Sequence, residues 1–310
     1  MKLIDNIVFN PDVYLLPHYK ISPFRTEHAF ANRKIAEKHC PALDFFLEDD
    51  YDSIVTVNAR KAIALALESL GLQPDDVVTI LTTSGNFYIS SCVTRTIEQY
   101  CQWDREMQPK TKVLLVNHEF GFPYENLSQL KEYRLPIIED CAHAFFSQNK
   151  ENSVGRVGDF VVYSLPKIMP MQLGGILRVR KSANHKAITY REPEPVRNYI
   201  TACFNHYLQD RDAIICRRIE NYGYLSTIFS ACGLTPRFAL EANQVPGVFI
   251  FNIDNVDING ENIKHLYWNN GIESSVFYKE NAVFIPVHQY LTKDDMDFFL
   301  RVYQSFLIRE

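Results

Sequence analysis

The sequence lacks the patterns that mark several large classes of protein. No apolar run approaches the roughly 18 residues that a membrane-spanning helix needs. The N-terminal stretch has no basic head followed by a long apolar core, so we do not expect a signal peptide. No dense run of Lys or Arg is present, and the formal net charge of −5 gives no general attraction to nucleic acid. We therefore predict a protein without nucleic-acid or membrane partners.

Motifs for several kinds of catalysis and metal binding are also missing. The sequence contains no G-x-G-x-x-G, no Walker loop, no G-x-S-x-G and no H-E-x-x-H, and its histidines and acids form no cluster with metal-ligand spacing. Its seven cysteines are odd in number and show no C-x-x-C spacing. Dispersed cysteines of this kind are typical of reduced core residues. We predict a cytoplasmic protein without a metal site.

What is present indicates an α/β fold. The chain of 310 residues is 46% hydrophobic and 22% charged, which suffices for one large or two moderate domains. Short apolar strands alternate with amphipathic helices, a pattern that predicts a mainly parallel central sheet covered on both faces. The predicted strands are 53–57, 77–81, 112–116, 136–139, 160–163 and 175–179, and the predicted helices are 27–39, 59–70, 90–101 and 125–133.

The pattern changes after about residue 181, where a proline-rich and charged segment at 190–196 suggests a boundary. We predict a large domain at 1–190, which includes an irregular N-terminal arm, and a smaller α/β domain at 191–310. The smaller domain is predicted to contain a helical region at 197–230, a strand at 247–253, a helix at 260–269, a strand at 283–285 and a helix at 292–308.

Polar side chains that could take part in catalysis or ligand binding follow two of the buried strands. Asp140 ends one strand, Ser164 ends the next, and Lys167 follows after one short turn. Ligands of such sheets bind outside the carboxyl ends of the strands. Taken alone, Asp140 fits a helix cap or salt bridge as well as a partner for a protonated pyridine nitrogen. Lys167 fits a surface lysine or a desolvated nucleophile, and Ser164 a phosphate ligand or a strand-end hydroxyl.

Three segments in this stretch resemble the DegT/StrS-type (DegT/DnrJ/EryC/StrS) family of fold-type-I, pyridoxal-phosphate (PLP)-dependent sugar aminotransferases. IIEDCAHA is similar to that family's IEDAAQ/H segment, GRVGDFVVYS to its G-x-x-G-D segment, and SLPKIMPMQLGG to its Ser…Lys…Gly-Gly loop. The resemblance extends from about residue 50 to the C-terminus. It implies a fold-type-I structure with PLP as the cofactor.

The resemblance also implies a role for individual residues in the central stretch. Lys167 would hold PLP covalently and move protons during catalysis. Asp140 would pair with the pyridine nitrogen, His143 would lie beside the ring, and Ser164 would bind the phosphate. Retention of a lysine at 167 speaks against the dehydratase branch of the family, in which that lysine is replaced.

Two earlier segments carry the rest of the implied site. VNARKAIALAL resembles the family's helix start whose backbone amides hold the phosphate, which places Asn58, Ala59 and Arg60 there. Arg60 stands in place of the usual threonine and either adds charge to the phosphate site or faces solvent. Phe87 lies where the family has an aromatic residue stacked on the ring, although it fits an ordinary core residue equally well.

The function implied is transfer of an amino group, with glutamate as the usual donor, to a nucleotide-linked keto-sugar in surface-polysaccharide or amino-sugar biosynthesis. The implied assembly is a homodimer. The segment between Arg95 and Lys112 is compressed, and the spacing from Ser164 to Lys167 is shorter than the family's common one. These departures keep two alternatives open, namely a degenerate scaffold with a binding or assembly role and a PLP enzyme of another reaction type.

Two further features lie outside this stretch. His288 either lines the active site from the smaller domain or caps a strand. The Arg217-Arg218 pair lies in a predicted helix, where we expect both side chains on a solvent-exposed face.

Overall fold

The computed structural model describes residues 18–40, 42–43, 50–253, 259–277 and 279–307. Within these residues the chain forms a seven-stranded sheet in the order β1-β7-β6-β5-β4-β2-β3 and a four-stranded sheet in the order β10-β11-β9-β8. The strands are β1 (Tyr51–Thr56), β2 (Val77–Thr82), β3 (Gln102–Asp104), β4 (Thr111–Asn117), β5 (Ile137–Asp140), β6 (Phe160–Ser164), β7 (Gly175–Arg180), β8 (Thr235–Pro236), β9 (Val248–Asn252), β10 (Ser275–Val276) and β11 (Ala282–Pro286).

Seven α-helices accompany the sheets in the described residues, together with short 3₁₀ segments. The α-helices are α1 (Thr26–Ala36), α2 (Ala59–Leu70), α3 (Ser91–Ile97), α4 (Glu194–Leu208), α5 (Arg211–Ser230), α6 (Gly260–Asn269) and α7 (Lys293–Leu307). The 3₁₀ segments are Glu119–Gly121, Ser128–Tyr133 and Leu165–Lys167. None of these helices is long and apolar enough to cross a membrane.

The predicted fold class is confirmed, because the larger sheet is mainly parallel and covered on both faces. The neighbouring pairs β2–β3, β2–β4, β4–β5 and β5–β6 are parallel, and β7 is antiparallel to both β1 and β6. Residues on β4 alternate between two separate hydrophobic cores, with Leu114 in one and Val113 in the other. Both side chains are fully buried. This burial on both faces explains why the strands are continuous apolar runs.

Helix α2 has the bounds that the sequence predicted. Asn58 caps its N-terminus, where its Oδ1 accepts a hydrogen bond from the Lys61 amide at 2.9 Å. Gly71 ends the helix at φ 65°, a left-handed conformation that glycine adopts without steric cost. Helix α2 packs its apolar stripe against β6 and β7, so its N-terminus is held beside the carboxyl end of β6.

Several predicted elements differ in extent or type. In place of the predicted helix at 125–133 the structure has a 3₁₀ segment at Ser128–Tyr133, which buries Leu130. The predicted helix at 90–101 ends at Ile97, and the compressed segment after it forms β3 on the sheet edge. The predicted helical region at 197–230 is two helices, separated at Gln209 and Asp210.

The smaller sheet has its own hydrophobic core, shared with α5, α6 and α7. Strands β8 and β10 contain two residues each, which is too short to leave a pattern in the sequence. Helix α4 packs on the core of the larger sheet, to which it contributes Ile200, Cys203 and Phe204. The domain boundary at 190/191 stays a prediction. Most of the predicted N-terminal arm lies outside the described residues.

The seven cysteines are all free. The prediction that they are core residues holds for Cys101, Cys141 and Cys203, which are buried. It is wrong for Cys92 and Cys216, which are exposed; Cys92 lies at the start of α3 and lines a cavity, and Cys216 lies on α5.

Candidate active site

A cavity of about 490 Å³ lies at the carboxyl ends of β5 and β6. It is lined by Asp140, the last residue of β5, and by Ser164, the last residue of β6. Lys167 lines the same cavity from the 3₁₀ segment that follows β6. Three side chains singled out in the sequence therefore meet at one site.

Asp140 is a buried carboxylate at the base of this cavity, with 3% of its surface exposed. Its Oδ2 accepts a hydrogen bond from Asn117 Nδ2 at 3.0 Å, and its Oδ1 accepts one from the Ala142 amide at 3.0 Å. Burial raises the pKa of Asp140, while these two donors and the nearby charges of His118 and Lys167 oppose the rise. A carboxylate held in this way is suited to receive a cationic group from the cavity.

The turn from Ser164 to Lys167 brings the amine to the acid's side of the sheet. Pro166 lies at the start of the 3₁₀ segment, where its missing N–H leaves no hydrogen bond unmade. The short spacing of serine and lysine is therefore compatible with both side chains lining one cavity. Lys167 also lies close enough to lower the pKa of Asp140.

The opposite wall of the cavity is the N-terminus of α2, with Asn58, Ala59 and Arg60 in its lining. Helix geometry leaves the amides of Ala59 and Arg60 without partners inside the helix, and the dipole favours an anion there. Close packing makes this arrangement possible, since a Cβ on Gly175 would lie 2.4 Å from the carbonyl carbon of Asn58. Arg60 lines the cavity although most of its side chain is exposed.

His143 also lines the cavity, with its ring centroid 5.1 Å from that of Phe120. Burial lowers its pKa well below the ordinary value, and the charges of Lys167 and Arg218 lower it further. The ring is therefore neutral at physiological pH. Its Nδ1 is buried without a hydrogen-bond partner. A Cβ on Gly247 would lie 2.6 Å from this atom, so the backbone there closes directly on the ring.

Phe87 lies outside the cavity lining, in contrast to the place that the resemblance implied. Its ring is 42% exposed and contacts Lys279, whose Nζ lies 3.7 Å from the ring centroid. The neighbouring Tyr88 lines the cavity instead and packs on Phe120, with ring centroids 5.6 Å apart. The contact of Phe87 with a cofactor ring stays a prediction, while the structure places the adjacent Tyr88 in the cavity lining.

The second sheet and its helices contribute to the cavity through residues that were not singled out in the sequence. Helix α6 supplies Lys264 and Trp268, and the segment up to β10 supplies Glu273, Ser274 and Ser275, all of which line it. Ile21, before α1, lines it as well and donates its amide to Glu273 Oε2 at 2.8 Å. The helical pattern of α6 was visible, but the element that its face meets depends on the tertiary fold.

Two expectations about basic residues are resolved by burial. Arg217 is exposed as predicted, with an ion pair to Glu220 at 3.3 Å. The prediction is wrong for Arg218, which is fully buried because α5 packs between the lysine turn and the second sheet. His288 lies outside the cavity lining; it is buried, and its Nδ1 accepts a hydrogen bond from the Tyr290 amide at 3.2 Å.

The fold brings together one buried cluster that the sequence spacing did not reveal. Ligand atoms of His118, Glu139 and Cys141 lie within 4.8 Å of one another. The Glu139 carboxylate accepts hydrogen bonds from the amides of Gly155, Val157 and Gly158, in addition to its contact with His118. This carboxylate therefore already has an internal role, which is to hold the loop before β6.

The donor set around the cavity fits PLP. Asp140 is placed to pair with a protonated pyridine nitrogen, and Lys167 supplies the primary amine that an aldehyde requires. The N-terminus of α2 and the hydroxyl of Ser164 provide donors for a phosphate dianion. The buried and unpartnered Nδ1 of His143 adds a polar group at the wall of the same cavity.

Comparison with known proteins agrees with this geometry. Residues 101–192 match the model of the DegT/DnrJ/EryC1/StrS aminotransferase family. Over 140 residues, 38% of the chain, the sequence is 31% identical to the GDP-perosamine synthase of Escherichia coli O157:H7. The matched regions span 37% and 38% of the lengths of the curated relatives.

Solved structures extend the likeness of fold to nearly the whole chain. DesI, solved in the presence of its TDP-sugar product, superimposes with a TM-score of 0.71 at 14% identity, over 99% of this chain and 100% of that one. The PLP-form of Spr1654 from Streptococcus pneumoniae superimposes with a TM-score of 0.69 at 15% identity, over 94% of this chain and 99% of that one. Over residues 101–192 the chain is therefore similar to the DegT/DnrJ/EryC1/StrS aminotransferase family, and the solved structures share its fold.

Proposed function

We propose that the protein is a PLP-dependent aminotransferase that moves an amino group from glutamate to a nucleotide-linked keto-sugar. One observation carries the proposal, namely that a buried acid, an amine and a helix N-terminus surround a single cavity. Asp140, Lys167 and the start of α2 line that cavity together. If Asp140 only formed a salt bridge or capped a helix, the start of α2 would not need to line the same cavity.

Each residue has a distinct task in the proposed reaction. PLP, when bound, supplies an aldehyde that condenses with primary amines and a ring that accepts electrons. Asp140 keeps the ring nitrogen protonated through a charged hydrogen bond. Lys167 holds the cofactor between turnovers, and its Nζ accepts and returns the proton that moves during amino transfer, a contribution of typically 10²–10⁴-fold. The amides of Ala59 and Arg60 bind the phosphate.

The class of substrate is proposed from the relatives. The synthase and DesI have names and ligands that involve GDP- and TDP-linked sugars, which supports a nucleotide-linked sugar for this chain. Lys264, Trp268 and Ser275 line the same cavity and offer a sugar substrate a cation, an aromatic ring and a hydroxyl. A role in surface-polysaccharide or amino-sugar biosynthesis, a homodimeric assembly and a cytoplasmic location belong to the same proposal.

The proposal is tested with purified protein and added PLP. We expect a yellow protein whose visible absorption changes when glutamate is added, as the bound cofactor is converted to pyridoxamine phosphate. Amination of keto-sugar nucleotides, screened by mass spectrometry, then identifies the acceptor. A protein that binds PLP but does not undergo the glutamate-dependent conversion would favour a PLP reaction of another type. A colourless protein that does not bind PLP would favour the degenerate scaffold.

A further inference from the structure

The lysine turn is held from outside by three side chains that bind three successive carbonyl groups. Ser22 Oγ donates to the Pro166 carbonyl at 2.7 Å. Arg218 Nη2 donates to the Lys167 carbonyl at 2.9 Å, and Gln289 Nε2 donates to the Ile168 carbonyl at 2.9 Å. The donors come from the segment before α1, from α5 and from the loop between β11 and α7. No two of them share an element.

Arg218 is the centre of this arrangement. It is fully buried, and its three hydrogen bonds go to neutral acceptors: the carbonyls of Lys167 and Pro246 and the Oε1 of Gln289. Burial lowers its pKa to about 9. A buried cation is costly to maintain without an anionic partner, so its retention needs a reason beyond packing. The planar guanidinium meets these three acceptors with three different nitrogen atoms, whereas a lysine presents all its donors from one nitrogen.

Gln289 and Ser22 connect the turn to the second sheet. Gln289 accepts from Arg218 Nε at 2.9 Å with its oxygen, while its nitrogen donates to the turn, so the amide bridges the two. Beside Ser22, the Ile21 amide donates to Glu273 Oε2 at 2.8 Å, and Glu273 lies in the segment that leads to β10. These contacts therefore link the lysine turn to elements that also line the cavity.

We propose that Ser22, Arg218 and Gln289 form a positioning clasp that fixes the backbone of the lysine turn and so aims Lys167 Nζ at the cofactor aldehyde. The inference rests on the proposed function and goes beyond it. On the lysine turn these residues contact only the backbone carbonyls from Pro166 to Ile168, so they act through Lys167 and are positioning residues. The clasp matters for a ligand that bonds to the lysine and not for one that merely occupies the pocket.

The test compares the affinities of the purified apoprotein for PLP and for pyridoxamine phosphate, which lacks the aldehyde and forms no bond with the lysine. Each of three variants changes one of the three side chains. R218K keeps the charge and loses the fork, Q289E keeps the acceptor for Arg218 and loses the donor to Ile168, and S22A loses the donor to Pro166. R217K, on the exposed face of α5, and S226A, whose hydroxyl bonds within α5, are matched controls.

We expect R218K to weaken PLP binding about tenfold or more, since a charged hydrogen bond to the turn is lost, and Q289E and S22A to weaken it about threefold or more. Pyridoxamine phosphate affinity should change less than about twofold in all three, and the controls should bind both ligands as the wild type does. Equal losses for both ligands, or no loss for either, would show that the contacts are merely structural. If R218K does not fold, the clasp is tested by the ratio of PLP affinity to pyridoxamine phosphate affinity in Q289E and S22A.

Wild-type protein that binds neither ligand would overturn the proposed function and the clasp together. The clasp alone would be overturned if the wild-type protein binds PLP at Lys167 and the variants keep the wild-type ratio of PLP affinity to pyridoxamine phosphate affinity. Thermal unfolding of each apoprotein, followed by circular dichroism, separates a general loss of structure from the specific loss.

Discussion

At the scale of single residues, Asp140 shows how a functional group is held at a cost to stability. Burial raises its pKa, so the folded apoprotein binds a proton more tightly than the unfolded chain does. Stability is therefore present below the unfolded pKa and is lost as the pH rises through the folded pKa. A cationic ring nitrogen in the cavity would offset this loss, so the cofactor would restore the stability that the ionised Asp140 costs the apoprotein.

Asp140→Asn is expected to separate stability from binding. Because the amide carries no charge, the variant apoprotein should be more stable than the wild type at neutral pH, and the difference should shrink below about pH 4, where a free aspartate is protonated as well. Its affinity for PLP should fall at least about tenfold, because a charged hydrogen bond is lost. Urea unfolding at pH 3.5 and pH 7.5, together with PLP titration, measures both effects. A variant less stable than the wild type at pH 7.5 would contradict this reading.

The aromatic residues of the loop after β2 give a second test at this scale. Tyr88 lines the cavity and Phe87 does not. Tyr88→Leu should weaken PLP binding roughly two- to tenfold, since aromatic contacts contribute about 0.5–1.5 kcal/mol. Phe87→Leu serves as the matched control and should leave the affinity within twofold of the wild type. A larger effect at Phe87 would restore the assignment that the resemblance implied.

The residues that could be predicted are those whose role follows from local position. Asp140, Ser164 and Lys167 stand at strand ends, and the carboxyl edge of a parallel sheet brings such ends together wherever the chain continues. Arg218 could not be recognised, since it stands beside the similar Arg217 in a helix of low amphipathicity. Its burial depends on what packs against α5, which is a property of the tertiary structure.

At the scale of elements, the N-terminus of α2 is the proposed phosphate site, so its cap affects both stability and the proposed cofactor binding. Asn58→Ala removes the hydrogen bond to the Lys61 amide and should lower the free energy of unfolding by about 1 kcal/mol. PLP affinity should also fall, because the first turn of the helix frays.

A matched control for this change exists at the start of α6. Asn259 caps α6 by accepting a hydrogen bond from the Glu261 amide at 2.9 Å, and it is not among the residues that line the cavity. Asn259→Ala should cost a similar amount of stability and leave PLP affinity unchanged. Urea unfolding and PLP titration of the two variants side by side measure both quantities. An equal loss of affinity in both would indicate a general effect of capping.

Elements long enough to show a period were predictable, and short ones were not. Helix α2 has the predicted bounds because its apolar stripe, its asparagine cap and its terminal glycine all agree. Strand β3 has three residues on a sheet edge, and none of them is buried, so its sequence carries no apolar run. The segment at 128–133 has polar residues around one buried leucine, and that pattern does not separate an α-helix from a 3₁₀ helix.

At the scale of the whole molecule, the cavity is a product of both sheets. The larger sheet supplies the acid, the amine and the helix N-terminus, while α6 and the segment before β10 supply the outer wall. The same second unit reaches the lysine turn through Arg218 and Gln289. Movement of this unit relative to the larger sheet would therefore change both the shape of the cavity and the position of Lys167.

In the proposed function, Lys167 is the amine that holds PLP, and Asp140 lines the same cavity. The most direct measurement is borohydride reduction of the PLP-loaded protein, followed by proteolysis and mass spectrometry of the labelled peptide. We predict one stable phosphopyridoxyl group per chain, attached at Lys167, and no label in Lys167→Ala treated in the same way. A label on another lysine, or equal labelling of the wild type and the alanine variant, would contradict the account.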